Sequence, residues 1–145
     1  MNIVWFAVAF LSCTFSHPSL AEEVYFGPYT AQYLGTVDGD TIDVLLHVYP
    51  GIDITTRIRE RSIDAPEVRG GTPCEKLLAH KATAYMQQLM EGAHRVTVEE
   101  LGFGTFQPRM VGRLYVDARP VGSLIKEKGL AVDYKDRETN VWCRS

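Results

Sequence analysis

Val37-Asp38-Gly39-Asp40-Thr41 and Ile63-Asp64-Ala65-Pro66-Glu67 bracket the stretch that decides the fold. Asp38-Gly39-Asp40 is turn chemistry. It joins one strand, Tyr29 to Val37 with Gly35 as a bend or bulge, to a second, Thr41 to Tyr49, whose Ile42, Val44, Leu46 and Val48 alternate. Pro50-Gly51 turns the chain again, and Ile52 to Ile63 reads as a third strand with Ile54 and Ile58 apolar. A β-meander of this kind carries the second acidic cluster back toward the first. Four carboxylates, Asp38, Asp40, Asp64 and Glu67, and at least Arg59 then share one small surface. Carboxylates held this close repel one another unless they hold a hard cation. An arginine beside such a cation is placed to grip a phosphate.

Downstream, Thr72-Pro73-Cys74-Glu75 is a helix start: Thr72 caps, Pro73 takes the first helical position and Glu75 completes a capping box. The helix is predicted to run to Glu91 and stop at Gly92, with Leu78, Ala82, Tyr85, Met86 and Leu89 as its apolar stripe. His94 to Leu101 and Met110 to Asp117 alternate as a fourth and a fifth strand, separated by a loop through Gln107-Pro108. A short helix over about Pro120 to Lys128 ends at Gly129, and the tail from Tyr134 is polar and turn-rich. Five short strands with two or three helices predict an α+β, mainly β, fold: a five-stranded OB-fold barrel with helices packed on it.

The chain has 145 residues and a net charge of −3, which suits one domain with one core. The acidity argues against a uniformly basic nucleic-acid-binding surface and leaves room only for a local basic cleft. Residues 1–21 read as a signal peptide. Ile3 to Leu11 is apolar but too short to span a bilayer, and Ser19-Leu20-Ala21 resembles a cleavage site. Residues 22–145 are then a single exported domain, periplasmic or secreted, with no membrane attachment. Export removes Cys13 and leaves Cys74 and Cys143, which pair in an oxidising compartment or remain two free thiols.

The quoted clusters, Arg59 five residues before Asp64, and Arg109 leading a strand that is followed by Gly129-Leu130-Ala131 together resemble the thermonuclease, or staphylococcal-nuclease-like, family over about Tyr33 to Ala131. Cys74 and the Trp142-Cys143 ending are similar to its exported bacterial members. The resemblance implies an OB-fold and hydrolysis of DNA and RNA, single strands preferred, with one calcium ion and 3′-phosphate products. Position by position it implies Asp40, Asp64 and the backbone carbonyl of Ala65 as calcium ligands. Asp38 supports them without needing to touch the ion. Glu67 orients or deprotonates the attacking water, and Arg59 and Arg109 bind phosphate. Gln107-Pro108 stands where the family commonly has Tyr-Gly, which makes Arg113 a rival to Arg109. Tyr134 lies near the family's nucleotide-contacting tyrosines.

These residue types suit the chemistry. All-oxygen ligation favours calcium or magnesium over zinc, a carboxylate can activate water, and guanidinium forks match the charge of a phosphoryl transition state. Elsewhere, Arg57 and Arg61 read as solvated strand faces, and Glu60 as an acid that could sequester an arginine. Two other classes compete: a catalytically impaired OB-fold module that only binds nucleic acid, and a calcium-stabilised structural domain. The second would not need Glu67, Arg59 and Arg109 together. A monomer is expected.

Overall fold

The computed structural model describes residues 25–69, 71–104, 109–139 and 142–143. The signal segment 1–21, Cys13 and Gln107-Pro108 lie outside these residues.

β1 (Tyr29–Asp38), β2 (Thr41–Tyr49) and β3 (Ile52–Glu60) form the antiparallel meander, and the register of β1 against β2 slips between Tyr33 and Gly35, a bulge at the expected bend. β5 (Val96–Phe103) pairs with β1, and β6 (Met110–Val116) pairs antiparallel with β5. The barrel closes where β3 runs parallel to β6, Ile58 opposite Met110 and Glu60 opposite Gly112. Two short pairings complete the fold. β4 (Ile63–Asp64) lies against β8 (Val132–Asp133), and β7 (Arg119–Pro120) lies against β6. The result is a closed five-stranded barrel with two α-helices, consistent with an OB-fold.

Inward-facing Ile42, Val44, Leu46, Ile58, Val98 and Leu114 fill the barrel, each at most 1% exposed. Strict alternation puts them on one face of their strands. α1 (Pro73–Glu91) begins where its cap chemistry places it: Thr72 Oγ1 accepts from the Glu75 N–H at 3.2 Å, and Gly92 ends the helix. Its buried positions are Ala79, Ala82, Met86 and Met90, while Leu78, Tyr85 and Leu89 are half-buried. The stripe is rotated slightly from the expected one, so Ala79 and Met90 are buried beside Ala82 and Met86. α2 (Val121–Glu127) buries Val121, Leu124 and Ile125, and a 3₁₀ turn (Tyr134–Thr139) follows β8. No helix among the described residues is long and apolar enough to cross a membrane.

Cys74, on the first turn of α1, is disulfide-bonded to Cys143 with a Cα–Cα distance of 6.1 Å. Linking residues 69 apart removes loop entropy from the unfolded chain worth about 4 kcal/mol. The bond ties the chain's end to the helix that backs the acidic cluster.

The third strand is shorter than expected. It ends at Glu60, and Arg61-Ser62 form a turn before β4. The cause is Glu60 itself. Its side chain turns inward, where Oε1 accepts from the Ser62 N–H and hydroxyl and Oε2 accepts from the Leu114 N–H. These bonds draw the chain out of the ladder. Among the described residues Glu60 forms no ion pair with an arginine; Arg113 acts on it only through its charge.

Candidate active site

The turn between β1 and β2 and the segment after β4 meet over α1. The contact is close: a Cβ on Gly39 would stand 2.6 Å from the Ala82 Cβ and 2.8 Å from the Ala65 Cβ. Only glycine lets the helix approach, so the Asp-Gly-Asp pattern is a packing requirement as well as a turn.

Asp40 is 2% exposed. Its Oδ1 accepts from the Thr41 hydroxyl at 2.8 Å, and its Oδ2 accepts from the Ala65 N–H at 3.1 Å. Arg59 Nη2 lies 2.8 Å from the same Oδ2 and also donates to Asp64 Oδ1, so one guanidinium bridges the two aspartates. Asp38 Oδ1 accepts from the Asp40 N–H, fixing the turn. Burial pushes the Asp40 carboxyl up to about 7, Arg59 opposing and the Asp38 charge adding to the rise. The Glu67 carboxyl is also held above its ordinary value. Partial desolvation is the main cause, the charges of Asp38 and Asp64 add to it, and those of Arg59 and Arg109 oppose it. Glu67 therefore senses both acidic clusters and both arginines at once.

Arg109 lines the same cleft as Arg59 and Asp64. Its Nε is buried and has no hydrogen-bond partner among the described residues. An orphaned buried donor carries a penalty of about 1–3 kcal/mol, which an anion oxygen would remove. Arg113 sits elsewhere. Its Nε is 2.8 Å from Glu100, and it lines a different cavity, with Glu60 and Lys126.

The donor chemistry suits a hard cation. Among the described residues no three Asp, Glu, His or Cys side chains converge on one point. The seat is instead two carboxylates, and a cation there would complete its shell with backbone or water oxygens. Asp40, buried with a single guanidinium shared with Asp64, is a carboxylate that additional positive charge would stabilise.

One of the two arginines read as solvated strand faces departs from that expectation. Arg57 does sit on an exposed strand face, paired with Asp43. Arg61, however, lies in the turn after β3, its guanidinium 4.1 Å over the Tyr25 ring and in ion-pair range of Glu100, and it lines the cleft. Tyr134 and Arg137 line the cleft too, as does Phe103. Apart from Tyr134, the sequence offered no periodic or motif signal for them.

Residues 57–142 match the family model described as staphylococcal nuclease homologue. That is more than half of the chain, and the protein belongs to this family. No curated protein matches it significantly.

Proposed function

We propose that the protein is an exported, calcium-dependent nuclease that hydrolyses phosphodiester bonds in DNA and RNA and leaves 3′-phosphate ends. The observation that carries this reading is the meeting of acids and arginines in one cleft: Arg59 bridges Asp40 and Asp64, and Arg109, its Nε without a hydrogen-bond partner among the described residues, lines the same cleft. An acid-only cluster would serve structural calcium equally well. The two arginines beside the acids are what a phosphodiester requires.

Asp40, Asp64 and the Ala65 carbonyl would hold the calcium ion, which supplies neutralisation of a phosphoryl oxygen and a template for water. The chain's own residues do the rest. Glu67, its carboxyl held above its ordinary value by partial desolvation, is suited to take a proton from the attacking water or to orient it. Arg109 offers its unpartnered Nε to a phosphate oxygen, and Arg59 offers its guanidinium from the other wall. Both forks meet the charge that builds on the phosphoryl oxygens. The region before residue 22 and the Cys74–Cys143 bond support a periplasmic or secreted location, since disulfides persist in oxidising compartments. The acting unit in this reading is a monomer, residues 22–145.

The deciding experiment is hydrolysis of single-stranded DNA by the purified protein with calcium and with chelator, beside Glu67→Gln. Cleavage that needs calcium and falls by about 10²–10⁴-fold in the variant is expected for loss of a general base. Turnover near wild type in Glu67→Gln would remove Glu67 from this role.

One observation favours a second reading. Arg59 is engaged by both Asp40 and Asp64, and a protein in which it stays there would bind nucleic acid without turning it over. Calcium-promoted binding of single-stranded DNA without cleavage would select that module.

A further inference from the structure

Asp64 belongs to a closed ring. Through β4 it is paired with Val132 of β8. One arm of the ring runs from Asp64 through Glu67 to Cys74, on the first turn of α1. The other runs from Val132 through the 3₁₀ turn to Cys143, its start pinned by the Tyr134 N–H, which donates to the Ser62 carbonyl at 3.0 Å. The Cys74–Cys143 disulfide joins the two arms. Strand pairing closes the ring at one end, and a covalent bond closes it at the other.

Glu67 lies on the first arm, which has few attachments of its own. Ala65 and Pro66 are buried and the Ala65 N–H donates to Asp40 Oδ2, so the end nearest Asp64 is fixed. From Glu67 to Gly71, among the described residues, no hydrogen bond holds the chain. Thr72 then caps α1, but a cap attaches the arm only to the helix. The helix itself is anchored late. Its first buried residue is Ala79, whereas Cys74 and Lys76 are exposed and Leu77 is 58% exposed. The first turn gains nothing from burial in the core, and a helix end without tertiary packing opens locally at little cost. The disulfide ties that turn to the rest of the fold.

We infer that Cys74 and Cys143 are positioning residues for Glu67: their bond holds the arm that carries it, so the reaction runs at full rate only in the oxidised protein. The inference rests on the nuclease reading for the reaction it serves, but the hold on the arm does not depend on turnover. Neither cysteine belongs to the barrel core, so reduction loosens the arm and leaves the barrel in place. Cys74 is exposed and Cys143 half-buried, which lets a dithiol reach the bond. A thiolate of the dithiol attacks one sulfur and forms a mixed disulfide. Its second thiol then closes the reductant to its own disulfide, and the two electrons and two protons it gives up leave Cys74 and Cys143 as free thiols. In a reducing compartment the two cysteines stay in that state. The site is then completed only after export, and nucleic acid in the compartment of synthesis is spared.

The test compares the purified protein oxidised, reduced with dithiothreitol, and carrying Cys74→Ser with Cys143→Ser, in the cold and with calcium. Backbone amide relaxation by NMR reads the arm without any need for turnover. On reduction the order parameters of Glu67, Val68 and Arg69 should fall from about 0.85 to below about 0.6, while those of Val44 and Val98 in the barrel keep their values. On single-stranded DNA, kcat should fall by about 10²-fold with KM little changed, the scale of a catalytic group misplaced by about 1 Å. The double variant should match the reduced protein, and reoxidation should restore the wild type alone. In Glu67→Gln, reduction should lower the residual turnover no further, because the group it displaces is already disabled. Order parameters or a kcat unchanged by reduction would overturn the inference. So would an equal loss of residual turnover in Glu67→Gln, since the bond would then act through another group. Melting of the barrel on reduction, seen as loss of the Val44 and Val98 order parameters, would also overturn it, because the bond would be holding the whole fold. Absence of cleavage in every state would defeat the nuclease reading alone, and the order parameters would still decide whether the bond holds the Glu67 arm.

Discussion

Asp40 and Glu60 are two carboxylates in the same wall of the barrel, joined by a 2.7 Å bond from the Glu60 N–H to the Asp40 carbonyl. Both are almost wholly removed from water, at 2% and 1% exposure, and burial raises the proton affinity of both. Their partners differ. Glu60 is met by three neutral donors, the Ser62 and Leu114 N–H groups and the Ser62 hydroxyl. Those bonds clamp the turn after β3 to β6 at the seam where the barrel closes. Asp40 has two neutral donors and then a guanidinium that it shares with Asp64. One carboxylate is completed by its own fold, whereas the other faces a second acid across a single cation. Burial and a raised pKa therefore do not by themselves mark a functional acid. The partner inventory separates the two.

The sharpest way to break this contrast is to neutralise each acid in turn. Asp40→Asn should lower turnover by about 10²–10³-fold, the scale of losing one preorganised electrostatic group, and should raise the calcium requirement. Glu60→Gln should keep kcat near the wild-type value but lower the urea-unfolding free energy by about 1–3 kcal/mol, since an amide cannot accept from all three donors. If Glu60→Gln proved the more damaging to kcat, Glu60 would belong to the site and the contrast would collapse.

A smaller effect separates the two arginines. Arg109→Ala should lower kcat/KM by about tenfold to a hundredfold, the loss of charge-assisted bonds worth about 1.5–3 kcal/mol. Arg113→Ala gives up a largely exposed pair with Glu100, worth about 0–1 kcal/mol of stability, and a charge that favours ionised Glu60. Kinetics on a single-stranded oligonucleotide decide between them, and the reverse order would make Arg113 the phosphate ligand.

Much of this arrangement was legible in the sequence because it rests on local rules. Alternation placed the strands, the Thr72 cap and Gly92 bounded α1, and the meander brought Asp40 and Asp64 together. Period two also put Glu60 on the same face as Ile58, so its burial was readable; its three donors were not, since they come from a turn and from β6, which alternation cannot locate, and Glu60 was read instead as an acid that could sequester an arginine. The buried face of α1 was similarly available, since Ala79 and Met90 lie three residues before Ala82 and four after Met86. What no local rule carried was the cleft wall. Phe103, Arg61 and Arg137 come from a strand end, a turn and a 3₁₀ segment, and only closure of the barrel brings them to one side. The position of Arg59 beside both aspartates was legible, since β2 and β3 pair Thr41 with Arg59, but its bridging of Asp40 and Asp64 was not, because the sequence assigned it to phosphate.

The faintest consequence of the contrast is thermodynamic. The folded Asp40 carboxyl titrates at about 7, above the roughly 3.9 of an unfolded aspartate. A raised value means the fold prefers the neutral acid. The stability that Asp40 contributes is thus fully present below about pH 4 and is lost as pH rises through about 7, with a slope of about 1.4 kcal/mol per pH unit between. In chelator, wild-type protein should lose stability across that window relative to Asp40→Asn, which has no proton to release there. Glu60 and Glu67 titrate in both proteins, so the difference isolates Asp40. Added calcium should reverse the trend, because the cation competes with the proton for the same oxygens and gains most where the carboxylate is ionised. A flat difference between the two proteins in chelator would mean that Arg59 already neutralises Asp40 in full. The pair would then be as complete as Glu60 is with its three donors, and the case for a missing cation would have to rest on Asp64 alone.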